Sequence, residues 1–161
     1  MRLIEIDSRE KPKAITSIIK YFDEHEIQYV TNKLLFGDYR DYNKPGIVVD
    51  RKHNIAELAM NCTREHERFR RELERARQAG AKLYILVEQN HYSSNKERIK
   101  VEKPIDLIRW QSPYSVVRGE KIFRVLVGWM REFPLEVIFC DRRQTGRKIV
   151  QIIYGDGEEN A

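Results

Sequence analysis

The chain has 161 residues, 41% of them hydrophobic and 10% aromatic, which suits one domain with its own core and predicts a single folded unit over residues 1–155. Its 30 Lys and Arg exceed its 25 Asp and Glu, a net charge of +5 that permits a polyanionic partner without demanding one. Two distant cysteines, Cys62 and Cys140, exclude a paired zinc or redox motif, and no apolar run is long enough to cross a membrane, so a cytoplasmic protein with no membrane partner is expected.

Residues 3–7 read as a largely buried first strand. A polar turn, Ser8-Arg9-Glu10-Lys11-Pro12, then leads into a helix with Pro12 near its first position, and Ile15, Ile18, Ile19 and Phe22 form its apolar stripe. Residues 27–35 alternate well enough for a second strand. That strand leads into residues 37–52, GDYRDYNKPGIVVDRK, where Asn43-Lys44-Pro45-Gly46 supplies the turn chemistry of a β-hairpin. Asn54 is a helix N-cap with Glu57 three residues on, and Ile55, Leu58, Ala59 and Cys62 face inward. The helix breaks near residues 61–63. A second helical stretch buries Phe69, Leu73 and Ala76 and stops at Gly80, while Arg64, Arg68, Arg71 and Arg75 form a stripe on its other face. A solvated face laced with ion pairs is one reading of that stripe, and phosphate contact is the other.

Residues 82–88 form an almost continuous apolar strand, expected at the centre of a sheet covered on both faces. The following segment, 89–118, has no firm period. Its Arg98, Lys100, Lys103, Arg109 and Arg118, interleaved with Tyr92, Trp110 and Tyr114, would suit nucleic acid; an ordinary loop anchored by a buried Trp110 fits equally well. A helix over 120–132 carries Phe123, Val127, Trp129 and Met130, which could serve a homodimer or the core. A strand over 135–140, a helix over 144–154 and a frayed acidic tail over 156–161 complete the chain. The order predicts an α/β domain, a mixed central sheet with helices on both sides.

The hairpin carries the chemistry. Its second arm starts as the apolar run Ile47-Val48-Val49 and turns charged at Asp50-Arg51-Lys52, as a strand does on leaving the core at a cleft. Alternation points Asp50 and Lys52 one way and Arg51 the other, and pairing with the first arm brings Asp38 beside them. Two carboxylates suit a hard cation such as Mg²⁺, and an adjacent ammonium can polarise a water or a phosphate oxygen, as phosphodiester cleavage requires. The bland alternative is a charged hairpin end with no chemistry. Of the four histidines only His53 adjoins this stretch, and it reads as leading into the helix.

Asp7-Ser8-Arg9-Glu10, Gly37-Asp38, Val48-Val49-Asp50-Arg51-Lys52, Glu57-Leu58 and Arg68-Phe69, in this order and spacing, resemble the successive motifs of the XPF-type (Mus/XPF) nuclease family. The likeness is greatest to small stand-alone phage and bacterial members. The resemblance implies a restriction-endonuclease-like core and a Mg²⁺- or Mn²⁺-dependent endonuclease that cuts DNA at branches or flaps, in repair, recombination or phage DNA metabolism. It further implies Asp38 and Asp50 as metal ligands, Lys52 as the group that orients or activates the attacking water, and Arg51 as a structural or phosphate contact. Asp7, Arg9 and Glu10 would line the cleft, Glu57 would be the downstream acid, and Arg68 the arginine after the active-site helix. Arg64, Arg71 and Arg109 join Arg68 as candidate DNA contacts. The chain departs from the family pattern at Asp50, where glutamate is usual, and at Glu57, which comes one residue late. The alternatives are a non-catalytic DNA-binding or assembly module with the same fold, and a single-strand or RNA-directed nuclease.

Overall fold

The computed structural model describes residues 1–89 and 99–155. Its strands are β1 (Leu3–Asp7), β2 (Gln28–Asn32), β3 (Tyr39–Asp41), β4 (Ile47–Lys52), β5 (Lys82–Gln89) and β6 (Leu135–Asp141). They form one mixed sheet in the order β2-β1-β3-β4-β5-β6. β3 runs antiparallel to both neighbours, while β1 and β2, and β4, β5 and β6, pair in parallel. The C-terminal ends of β1, β4, β5 and β6 therefore share one edge with the start of β3. In open α/β sheets that edge is where ligands bind.

Helices α1 (Thr16–Glu24) and α5 (Thr145–Tyr154) cover one face; α2 (Ile55–Cys62), α3 (His66–Gln78) and α4 (Gly119–Glu132) cover the other. Alternation along β4 divides the core accordingly: Val48 packs under Leu58, Phe69 and Leu73, whereas Val49 packs with Ile18, Phe22 and Ile149. The expected architecture is the observed one.

Two local readings change. Pro12 opens a 3-10 turn, Pro12–Ala14, and α1 itself begins at Thr16. The second strand is shorter than the 27–35 expected, because β2 lies at the sheet edge with all five residues exposed and only Ile27 and Leu34 beside it reach the interior. Phe123 and Met130 pack against the same core that buries Ile122, Leu126 and Trp129, so α4 spends most of its apolar surface inward.

The segment after β5 is partly regular. A 3-10 turn, Pro104–Arg109, packs on α4 and buries Leu107, and Trp110 behind it is an anchor, as expected. Gly119 is required where the two meet, since a Cβ there would lie 1.6 Å from the Leu107 carbonyl oxygen. Arg98, Tyr92 and the 156–161 tail lie outside the described residues. Among the described residues no helix is long and apolar enough to cross a membrane.

Candidate active site

The site begins with the way Asp38 is stitched between two strands. Its backbone N–H donates to the Val49 carbonyl at 2.8 Å, and its own carbonyl accepts from Asp7 N–H at 2.8 Å. Its carboxylate oxygen Oδ2 accepts the Arg51 N–H at 2.8 Å. The turn into Asp38 needs the preceding glycine: Gly37 has φ +71°, and a Cβ there would meet Val48 Cγ1 at 2.2 Å. From the far wall, Glu72 on α3 accepts the Gly37 N–H at 2.9 Å.

β4 sends its charges to opposite faces. Toward α2 and α3, Lys52 Nζ lies 3.0 Å from Asp50 Oδ1 and 4.8 Å above the centre of the Phe69 ring, both side chains being buried. Toward α1 and α5, the Arg51 guanidinium donates from all three of its nitrogens. Its Nε and Nη2 donate to Glu10 at 2.8 and 3.0 Å and its Nη1 to Glu88 at 2.5 Å. Thr145 Oγ1 donates to the other Glu88 oxygen at 2.6 Å, and the Tyr39 hydroxyl donates to Glu10 at 2.9 Å. These contacts tie β4 to the turn after β1 and to β5.

Burial and mutual repulsion load the acids. Asp38 is held well above the ordinary carboxylate range by burial first, then by the charges of Asp50 and Glu10, against the pull of the Arg51 N–H. Burial likewise pushes Asp50 up to about 6, Lys52 opposing and Glu72 adding repulsion. Lys52 keeps its proton: burial works against its charge, but Asp50 outweighs it and the ammonium is held above its ordinary value.

These residues line a cleft of about 710 Å³ together with Asp7, Arg9, Glu57 and Arg68. Asp7 accepts Arg9 Nε at 2.7 Å and the Leu34 N–H at 3.0 Å. The Glu57 N–H donates to Asn54 Oδ1 at 2.7 Å, so the expected cap is present, but the Glu57 carboxylate turns to His53, accepting its backbone N–H at 2.9 Å and touching its ring.

A Mg²⁺ or Mn²⁺ ion fits this donor set. Asp38 Oδ1 and Asp50 Oδ2 make no hydrogen bond among the described residues, and two crowded carboxylates, one buried and one half-buried, are what a small hard cation relieves. Among the described residues no three His, Cys, Asp or Glu side chains gather into a metal cage. Such an ion would complete its shell with water and phosphate oxygens, as Mg²⁺ commonly does.

Residues 6–152 match the model of the ERCC4 domain. The chain belongs to the ERCC4 domain family. Among solved structures it is similar to XPF from Aeropyrum pernix, with 16% identity over 93% of this chain and 62% of that one, TM-score 0.64. It is similar also to XPF from Aeropyrum pernix in complex with DNA, with 15% identity over 98% of this chain and 66% of that one, TM-score 0.65. At this identity the likeness is one of fold, and the chain spans less than two thirds of the length of either relative. No curated protein sequence matches it. The XPF-type resemblance of the motifs and the expected α/β class are both borne out.

Within this ERCC4 domain the expected residues separate into two groups. Asp7, Arg9, Glu10, Asp38, Asp50, Arg51, Lys52, Glu57 and Arg68 converge on the cleft. Arg109 does not: it lies on the 3-10 turn against α4, paired to Asp106 at 3.3 Å. Arg64 and Arg71 are exposed on α3 and its approach, outside the cleft lining. Among the lining residues not anticipated are Lys11, Lys13, Asn61, Glu72, Glu88 and Arg142. A signal for Glu88 existed, since it closes an apolar strand with a charge just as Asp50 does. Asn61 follows Glu57 by one helical turn on α2 and so shares its face. Its Oδ1 is buried and unpartnered among the described residues.

Proposed function

We propose that this ERCC4 domain is a Mg²⁺- or Mn²⁺-dependent DNA endonuclease, selective for branched or flapped substrates. The observation that carries it is the pair of crowded carboxylates, half-buried Asp38 and buried Asp50, each with one oxygen left for a cation, beside a charged, buried Lys52. The likeness to an XPF structure in complex with DNA supports DNA as the partner.

Asp38 and Asp50 would hold the ion, which supplies Lewis-acid stabilisation of the charge that builds on the phosphate. The Arg51 N–H fixes the orientation of the Asp38 carboxylate. Asp50 in turn fixes Lys52 Nζ, whose remaining N–H bonds are available to orient the attacking water or a phosphate oxygen. Phe69 closes one side of the ammonium and keeps it from solvent. Water attacks phosphorus in line, one P–O bond forms as the opposite one breaks, the attacking water's proton passes to solvent and the leaving oxygen takes one up from solvent, and the strand is nicked. A non-catalytic module of the same fold is disfavoured, since neither an acid nor the lysine is missing.

The test is cleavage of flap, splayed-arm, four-way and linear DNA with Mg²⁺, Mn²⁺ or chelator, beside Asp50→Ala. Expected is metal-dependent cutting of branched substrates that Asp50→Ala abolishes. Cutting that survives unchanged in the variant would sink the site assignment, and DNA binding with no cutting under any condition would favour the scaffold reading.

A further inference from the structure

The cleft is lined by seven acidic and seven basic side chains, so its wall as a whole offers a polyanion no net attraction. What matters is which cations are already committed. Arg9 is paired to Asp7, Arg51 to Glu10 and Glu88, Lys52 to Asp50, and Arg68 to Glu65. The three that remain, Lys11, Lys13 and Arg142, are exposed and have no carboxylate partner among the described residues.

All three stand on the α1/α5 side. Lys11 and Lys13 belong to the turn between β1 and α1, and Arg142 opens the turn between β6 and α5. Arg142 is also held: its Nη2 donates to the His53 carbonyl at 2.7 Å, which ties the guanidinium of this lining residue to the end of β4 and leaves its other N–H groups open. The opposite wall, from α2 and α3, presents Glu57 and Glu72, and its one cation, Arg68, is neutralised locally. The cleft is therefore electrostatically one-sided.

Resting on the nuclease reading above, we propose that the strand to be cut runs along the wall of Lys11, Lys13 and Arg142, with the phosphates flanking the scissile one paired to these three residues. The arginine stripe of α3 is then not the strand's track. Arg64 and Arg71 are also without carboxylate partners among the described residues, but they lie outside the cleft.

The experiment is fluorescence anisotropy with a labelled flap oligonucleotide, in chelator to prevent cutting, over a salt series. It compares wild type, the triple variant Lys11→Gln/Lys13→Gln/Arg142→Gln and the double variant Arg64→Gln/Arg71→Gln. Removing one cation that pairs with a phosphate lowers the slope of log K against the logarithm of salt concentration by about 0.7–0.9. The triple variant is expected to bind at least roughly tenfold more weakly with a slope lower by about 2, while the double variant stays within about twofold of wild type. An unchanged Tm and unchanged Mn²⁺ affinity show that the triple variant keeps its fold and floor. Wild-type binding by the triple variant, or weakening confined to the double variant, overturns the proposal and leaves the nuclease reading standing; a wild type that binds no DNA at low salt overturns both.

Discussion

The Arg51 N–H donates to the Asp38 carboxylate at 2.8 Å, so one acid of the cleft is oriented by the strand that carries the other. A hydrogen bond to the charged form is not enough to offset burial and the neighbouring charges of Asp50 and Glu10, and Asp38 remains well above its ordinary value. An acid raised in the folded state contributes stability below its unfolded value that is lost as pH rises through its folded value. Asp38→Asn keeps an oxygen for the Arg51 N–H and removes the charge. In metal-free protein it should melt higher than wild type at pH 7–8, by about 2–4 °C for each kcal/mol recovered. The difference should vanish below about pH 4, near the unfolded carboxylate value, and cleavage should be lost throughout. Calorimetry in chelator across pH reads it; a variant that melts lower at pH 8 would contradict the repulsion argument.

Lys52→Met retains the apolar stem over Phe69 but removes the ammonium. If Lys52 serves the reacting water or phosphate, single-turnover cleavage should fall by about 10²–10⁴-fold. Mn²⁺ affinity should hold or rise, because a competing cation has left Asp50. Titration calorimetry beside quenched-flow assays separates the two effects, and equal losses in both would make Lys52 part of the fold of the site instead.

Glu72 is predicted to act through Gly37. Glu72→Gln can still accept the Gly37 N–H through its amide oxygen, whereas Glu72→Ala cannot. Mn²⁺ binding followed by electron paramagnetic resonance, without DNA, should weaken about tenfold in the alanine variant and by less in the glutamine variant, a hydrogen bond to a charged group being worth about 1.5–3 kcal/mol. Identical affinities in all three proteins would leave Glu72 with no role in placing Asp38.

The Arg51 network should behave as structure. Arg51→Met strands Glu10 and Glu88 without their cation, and breaking a buried pair of this kind costs about 3–5 kcal/mol in urea unfolding. Thr145→Val removes one donor to Glu88 and should cost about 1–3 kcal/mol. If Arg51→Met were as stable as wild type while failing to bind DNA, the guanidinium would be a phosphate contact after all.

The fold and the floor of the site were legible because both are written locally. Apolar runs and their periods mark β1, β4, β5, α1 and α4, and Gly37-Asp38 with Asp50-Arg51-Lys52 lie within sixteen residues of one hairpin, so strand alternation alone assigns their faces. The walls were not. Glu72 stands among several glutamates and arginines of α3 that look alike in sequence, and only the docking of α3 over Gly37 singles it out. Arg142 comes from the far end of the chain, and nothing near it in sequence announces the His53 carbonyl. Arg109 was marked by clustered charge alone, and nothing in that cluster announced that its neighbour Asp106 pairs with it.

The division of β4 between two faces has a consequence for transplanting or redesigning this site. Shifting the strand by a single residue would turn Asp50 and Lys52 toward α1 and α5 and Arg51 toward α2 and α3, with composition unchanged. The salt-bridged arginine on the back therefore acts as an index pin for the front: it clicks between Glu10 and Glu88 in one register only. A scaffold that borrows the Asp-x-Lys face without the pocket for the pin inherits the reactive groups but not the alignment that makes them a pair.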